Sequence, residues 1–169
     1  MFSKAIKKGL GSMEIKLLAL DIDGVLTDGR IVIDTSCREY KSINYRDLDG
    51  ITWLKNKGVG LVLLTGEETA IVDTLAKRFG VLNVIKGAKD KEKALQQLSE
   101  STKVPLKNIC YVGDSDRDVA TLRICALGIV PQDATKKAKE AASVVLKTKG
   151  GDGLIPEVIE YLVENGYIK

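Results

Sequence analysis

Leu17 to Asp28, reading LLALDIDGVLTD, constrains this chain more than any other stretch. Leu17 to Leu20 form an unbroken apolar run that stops at two carboxylates, Asp21 and Asp23, with Gly24 next. A short apolar run bounded by turn residues suits a strand buried on both faces, as in a parallel sheet. Open sheets of that kind gather their chemistry at the carboxyl ends of the strands. Residues two apart on an extended chain point to the same side, so Asp21 and Asp23 are expected together. Like charges held that close repel, and burying them unpaired is costly, so the pair predicts a cation.

EF-hand calcium loops also contain a DxDG string, but they need Gly at the sixth position, Glu at the twelfth and a preceding helix. Counting from Asp21, those positions are Leu26 and Val32, and an apolar strand precedes them. An ordinary Asp-rich turn is the plainer alternative, to be weighed against the rest of the chain.

Composition bounds the possibilities. A chain of 169 residues is long enough for one domain with a full core. It contains no histidine, which excludes Ser-His and His-metal mechanisms. Cys37, Cys110 and Cys125 lack metal-ligand spacing. Cys110 and Cys125 sit among apolar neighbours and read as small core residues, and a reducing, cytoplasmic compartment is expected. No apolar run approaches the roughly 18 residues of a membrane span, so no membrane partner is expected. The net charge of +3 comes from Lys4, Lys7 and Lys8; the remaining 23 basic residues balance the 23 acidic ones, which argues against nucleic-acid binding. Residues 1–12 are expected to be a disordered leader, native or a cloning remnant, ahead of a single domain over 13–169. Their apolar content is too small for a signal peptide.

Along the chain, strands alternate with helices. Ile31–Ile33 and Arg38–Asn44 read as an inserted hairpin around Asp34-Thr35-Ser36. Buried strands are expected at Gly60–Leu64 and Ile109–Val112, and shorter ones at Val84–Ile85, Gly128–Val130 and Val144–Leu146. Helices are expected over 47–57, 68–79, 90–100, 116–126 and 134–141, with a closing one that ends near Glu164. This is an α/β pattern: a Rossmann-like three-layer sandwich with a mainly parallel sheet, an inserted β-hairpin and no room for a separate cap domain.

The strand ends carry one kind of chemistry. The first has Asp21 and Asp23, the second Thr65 and Gly66, the loop opening the 90–100 helix has Lys91, and GDSDRD carries Asp114 and Asp118. An acidic metal site beside a hydroxyl and an ammonium is the kit for moving a phosphoryl group through an aspartyl intermediate. Each member also has a plainer reading. Thr65 with Glu68, and Ser115 with Asp118, fit capping boxes; Asp114 fits an N-cap and Lys91 a solvated helix residue. Their occurrence in order, at successive strand ends, is what favours the catalytic reading.

The series DIDGVLTD, LLTG, DK, GDSDRD resembles the haloacid dehalogenase superfamily of phosphohydrolases. Within it, residues 14–165 resemble the small sugar-acid phosphatases that act on 3-deoxy-octulosonate 8-phosphate or acylneuraminate 9-phosphate, through the hairpin, NYRDLDGI and KGGDG. The resemblance makes Asp21 the nucleophile and Asp23 the acid that protonates the departing sugar oxygen and then activates water. It implies Mg²⁺ bound by the Asp21 carboxylate, the Asp23 backbone carbonyl and Asp114, with Asp118 orienting water. Thr65 and the Gly66 N–H would hold phosphate oxygens and Lys91 would neutralise their charge. It also implies a homotetramer whose neighbouring hairpin and tail cover the site. Three departures bear on the substrate. Glu67 stands where octulosonate members carry Arg and resembles the nine-carbon branch, while Leu75 and Pro156 stand where family arginines grip the sugar carboxylate. Arg78 or Arg46 would be the substitutes.

Competing readings remain. A receiver domain shares the acids, Thr and Lys, but its phosphorylated Asp follows the third strand. A non-catalytic module attached to a sugar-activating synthetase would lose motif acids, which this chain retains. A capless monomer open to phosphoproteins would need a docking patch, and the charge-balanced body offers none.

Overall fold

A computed structural model describes residues 13–169; the expected leader lies outside the described residues. The opening apolar run is strand β1, Leu17–Leu20, buried throughout. Two short strands, β2 (Val32–Ile33) and β3 (Glu39–Tyr40), pair antiparallel as a hairpin. Then come α1 (Tyr45–Asn56), β4 (Gly60–Leu64), α2 (Ala70–Phe79), β5 (Asn83–Ile85) and α3 (Lys91–Thr102). After them run β6 (Ile109–Val112), α4 (Val119–Ile124), β7 (Leu127–Val130), α5 (Lys136–Ala141), β8 (Val144–Val145) and α6 (Leu154–Glu164).

Six strands form one parallel sheet in the order β5-β4-β1-β6-β7-β8. The chain builds outward from β1 on one side through β4 and β5, then returns to its other side with β6. That leaves a crevice at the carboxyl end of β1, where ligands bind in open α/β sheets. The strands' two-residue period sorts the core into two clusters. Leu18, Leu20, Leu61, Leu63 and Val112 pack with residues of α1, α2 and α6. Leu17, Ala19, Val62, Leu64 and Tyr111 pack with residues of α3, α4 and α5. The result is the expected three-layer sandwich, with no cap domain among the described residues. No helix among them is long and apolar enough to cross a membrane.

Differences from the expected boundaries have local causes. The returning hairpin strand was expected to run to Asn44, yet only Glu39–Tyr40 pair. Lys41 turns toward the crevice instead, and the Asn44 side chain caps α1 by accepting from Arg46 N. The helix after GDSDRD begins as a turn of 3-10 helix over Asp116–Asp118 because the Asp118 side chain points inward. Cys110 lies in the core, whereas Cys125, expected there too, is half-buried.

The turn before α6 packs on the DxDG loop. Gly151 N donates to Val25 O at 2.9 Å. A Cβ on Gly150 would lie 1.9 Å from Gly24 O, so only glycine allows this approach.

Candidate active site

The ladder of β1 with β6 extends by one bond, Asp21 N to Val112 O at 2.9 Å. The chain then folds back, with Ile22 O accepting from Val25, Leu26 and Thr27 N. This turn leaves the Asp21 side chain, only 6 % exposed, facing the crevice. One of its oxygens accepts from Ile22 N at 2.8 Å and the other from the Lys91 ammonium at 2.5 Å. Lys91 is the first residue of α3, whose N-cap is the Asp90 side chain. It is buried, unlike a solvated helix lysine, and it also donates to Asp118 Oδ1 at 2.7 Å.

Asp118 is fully buried and saturated with donors. Its Oδ1 accepts from Lys91 and from the Tyr111 hydroxyl at 2.6 Å; its Oδ2 accepts from Asp114 N, Ser115 N and Ser115 Oγ. The Ser115–Asp118 capping box is therefore real, and the same carboxylate also anchors the lysine. The Asp114 carboxylate accepts no hydrogen bond from the described residues. It lies against Gly24, where a Cβ would come within 2.0 Å of Asp114 Oδ2.

Carboxylate oxygens of Asp21, Asp114 and Asp118 lie within 4.8 Å of one another. Three acids thus cluster around one ammonium that bonds only two of them, Asp21 and Asp118. Burial pushes Asp114 up to about 7, reinforced by the charges of Asp21 and Asp118. Burial likewise raises Asp21 to about 6, against the pull of Lys91. Burial works on Asp118 in the same sense, but Lys91, Tyr111 and the Ser115 N–H outweigh it and hold it below the usual range. Lys91 is desolvated too, yet the carboxylates of Asp21 and Asp118 hold its proton more firmly than usual. This excess of negative charge, with an all-oxygen donor set and Asp114 free of donors among the described residues, fits a hard divalent cation.

Asp23 stands beside this group. Its Oδ1 accepts from Thr27 Oγ1 at 3.1 Å and its Oδ2 from Lys41 Nζ at 2.9 Å. Thr65, buried at the end of β4, accepts from Glu67 N at 3.2 Å. The Gly66 N–H donates to no group among the described residues. An open cavity of about 410 Å³ is lined by Asp21, Asp23, Thr65, Lys91, Asp114 and Arg117, among others. Gly66 and Glu67 also line it.

Arg46 and Arg78 do not. Arg78 donates to Tyr45 Oη at 2.9 Å, and the Arg46 side chain lies against Gly153. Leu75 is core. Sequence reasoning passed over Lys41, Tyr111 and Arg117. Lys41 and Tyr111 lie inside stretches that read as strands, and Arg117 lies inside GDSDRD, where the acids and the Ser115 cap carry the signal.

Residues 67–158 match the sequence model of the haloacid dehalogenase-like hydrolases. The 3-deoxy-D-manno-octulosonate 8-phosphate phosphatase of Escherichia coli is 30% identical over 149 residues, covering 88% of this chain and 79% of that protein. The N-acylneuraminate cytidylyltransferase of Oncorhynchus mykiss is 32% identical over 160 residues, 92% of this chain but 37% of that longer protein. Among solved structures, the Moraxella catarrhalis 3-deoxy-D-manno-octulosonate 8-phosphate phosphatase, in complex with magnesium ion, phosphate ion and a KDO molecule, superposes with a TM-score of 0.86. It is 31% identical, and the match covers 91% of this chain and 88% of that one. The cobalt-bound deoxy-D-mannose-octulosonate 8-phosphate phosphatase from Haemophilus influenzae gives 0.84 at 29% identity, covering 90% of each chain. With its parallel sheet, its acidic crevice and these relatives, the chain belongs to the haloacid dehalogenase-like hydrolases, in the branch without a cap domain, as a phosphoric monoester hydrolase.

Proposed function

We propose that residues 13–169 form one catalytic domain, a Mg²⁺-dependent phosphatase acting on a phosphate monoester of a 3-deoxy-ulosonic sugar acid, of octulosonate or acylneuraminate type. The single observation that carries it is the meeting of Asp21, Lys91 and Asp114 at the carboxyl end of the central strand. Asp21 attacks phosphorus, and the bond from phosphorus to the sugar oxygen breaks. Asp23 gives its proton to that departing oxygen. Asp23 then takes a proton from water as the water oxygen attacks phosphorus, releasing inorganic phosphate and restoring Asp21.

Thr65 and the Gly66 N–H bind the phosphoryl oxygens. Lys91, held in place by Asp118, faces them as a fixed positive charge. Asp21, Asp114 and the Asp23 carbonyl would hold Mg²⁺, which when bound supplies positive charge against phosphoryl oxygens. Asp118 serves to hold Lys91, since both its oxygens are engaged. Glu67 lines the substrate side of the cavity. The names of the bacterial relatives support an eight-carbon substrate, and Glu67 after Thr65-Gly66 supports a nine-carbon one.

The expected result is Mg²⁺-dependent hydrolysis of 4-nitrophenyl phosphate that disappears in Asp21→Asn; activity surviving that change rejects the covalent mechanism. A screen of phosphorylated octulosonate, nonulosonate and simple sugars then identifies the substrate. A second reading, a non-catalytic module of a sugar-activating protein, draws on the resemblance to part of the cytidylyltransferase. It predicts no Mg²⁺-dependent hydrolysis of any of these compounds. We further place the enzyme in the cytoplasm, in keeping with its three free cysteines, as a homotetramer assembled through the exposed apolar hairpin.

A further inference from the structure

Lys41 follows β3 directly and leaves the hairpin to enter the crevice. Its side chain is 1% exposed, an unusual degree of burial for a lysine, which normally keeps its ammonium in water. The ammonium donates to Asp23 Oδ2 at 2.9 Å and to Glu67 Oε2. Glu67 is steadied in turn by the Thr69 hydroxyl on its other oxygen, and Asp23 by the Thr27 hydroxyl on its Oδ1. One nitrogen therefore ties together the hairpin, the turn after β1 and the loop after β4. Although buried, Lys41 holds its proton more firmly than usual because both carboxylates face it. Glu67, raised by burial, is brought below its usual range by Lys41 and Thr69.

Lys41 has none of the work assigned to Lys91, which binds a different pair of carboxylates, Asp21 and Asp118. An exposed ion pair here would contribute little. A buried ammonium fixed between two carboxylates instead sets where each of them points, because removing it leaves two like charges side by side with nothing between them. Both oxygens of Asp23 are gripped, one by a hydroxyl and one by this ammonium, so the carboxyl group has a single orientation. A proton-transfer group gains its effect from such fixed placement.

We propose that Lys41 is a positioning residue for proton transfer by Asp23: it aims the carboxyl group at the oxygen that leaves phosphorus. This rests on the reading of Asp23 as the acid. Lys41 exchanges no proton itself. Asp23 gives one to the departing oxygen and recovers one from water, and the ammonium keeps all of its own.

The test uses leaving groups of similar shape and different acidity. Nitrophenolate departs without a proton, phenolate benefits from one, and the alkoxide of benzyl phosphate needs one. The full chain is assayed with Mg²⁺ on 4-nitrophenyl, phenyl and benzyl phosphate by kcat/KM, which reports the phosphoryl-transfer step. In Lys41→Met the loss is expected to grow along that series, by about tenfold more for benzyl than for 4-nitrophenyl phosphate. Lys41→Arg is expected to recover most of the benzyl activity. Partial unfolding would lower all three equally, so the gradient separates positioning from stability. Asp23→Asn is the reference. A graded loss in Asp23→Asn with an even loss in Lys41→Met overturns the role of Lys41 alone. An even loss in Asp23→Asn overturns the reading of Asp23, and this proposal with it.

Discussion

Asp118 accepts from five donors, and Lys91 is one of them. That arrangement turns a flexible side chain into a fixed charge over Asp21, while Asp114 is left with no donor from the described residues. The asymmetry between these two acids of one motif follows from burial and partners rather than residue type. Gly24 sets the distance between the turn and Asp114. It adopts φ of +79°, and a Cβ there would overlap the Asp114 carboxylate. Gly24→Ala is therefore expected to destabilise the fold by about 1–3 kcal/mol. It should also weaken Mg²⁺ binding by roughly tenfold or more by displacing Asp114. Urea unfolding and calorimetric Mg²⁺ titration check the two effects separately.

Between elements, the main polar joint links α1 to α6. Asp47, in the first turn of α1 and fully buried, accepts from Ile155 N in the first turn of α6 at 2.7 Å. Its other oxygen has no partner. The joint matters to the site because the turn leading into α6 is the one that packs on the DxDG loop. Burial, only partly offset by the N–H groups of Ile155 and Gly153, raises Asp47 to about 6. A carboxyl raised on folding binds more protons in the native state than in the unfolded one. Stability is thus fullest below the unfolded value near 4 and falls as pH rises through about 6. Asp47→Asn keeps the acceptor for Ile155 without the charge. From pH 4 to pH 7 its stability relative to wild type is expected to improve by on the order of 2 kcal/mol. Urea midpoints at the two pH values measure this, and an unchanged difference would show that Asp47 is not the titrating group.

Across the whole molecule, the hairpin is the part whose own fold does not account for it. Val32 and Ile33 are 65% and 63% exposed, and Ile31 and Tyr40 are about half exposed. The hairpin is held by Asp34, which accepts from Ser36 N, Arg38 N, Arg38 Nε and the Tyr40 hydroxyl, and not by a core of its own. Contiguous exposed apolar side chains of this sort mark association surfaces. Light scattering is expected to give about four times the 18.3 kDa chain mass, and Val32→Glu with Ile33→Glu to give smaller species of unchanged circular dichroism. Wild-type protein that is monomeric at micromolar concentration would defeat the tetramer.

The order of elements and the acids at the strand ends could be read from the sequence alone. Both are local: an apolar run closed by Asp-x-Asp-Gly specifies a buried strand and its exit whatever packs around it. Segment ends were less legible, because a tertiary contact decided them, as Asp118 did for α4 and Lys41 for β3. Which acid is left without a donor among the described residues and which binds a lysine, the joining of Lys41 to Asp23 and Glu67, and the exclusion of Arg46 and Arg78 from the cavity were decided by tertiary structure. Lys91 and Asp21 are seventy residues apart. Only the parallel stacking of β1 between β4 and β6 brings them within hydrogen-bond reach, and no spacing along the chain encodes that distance.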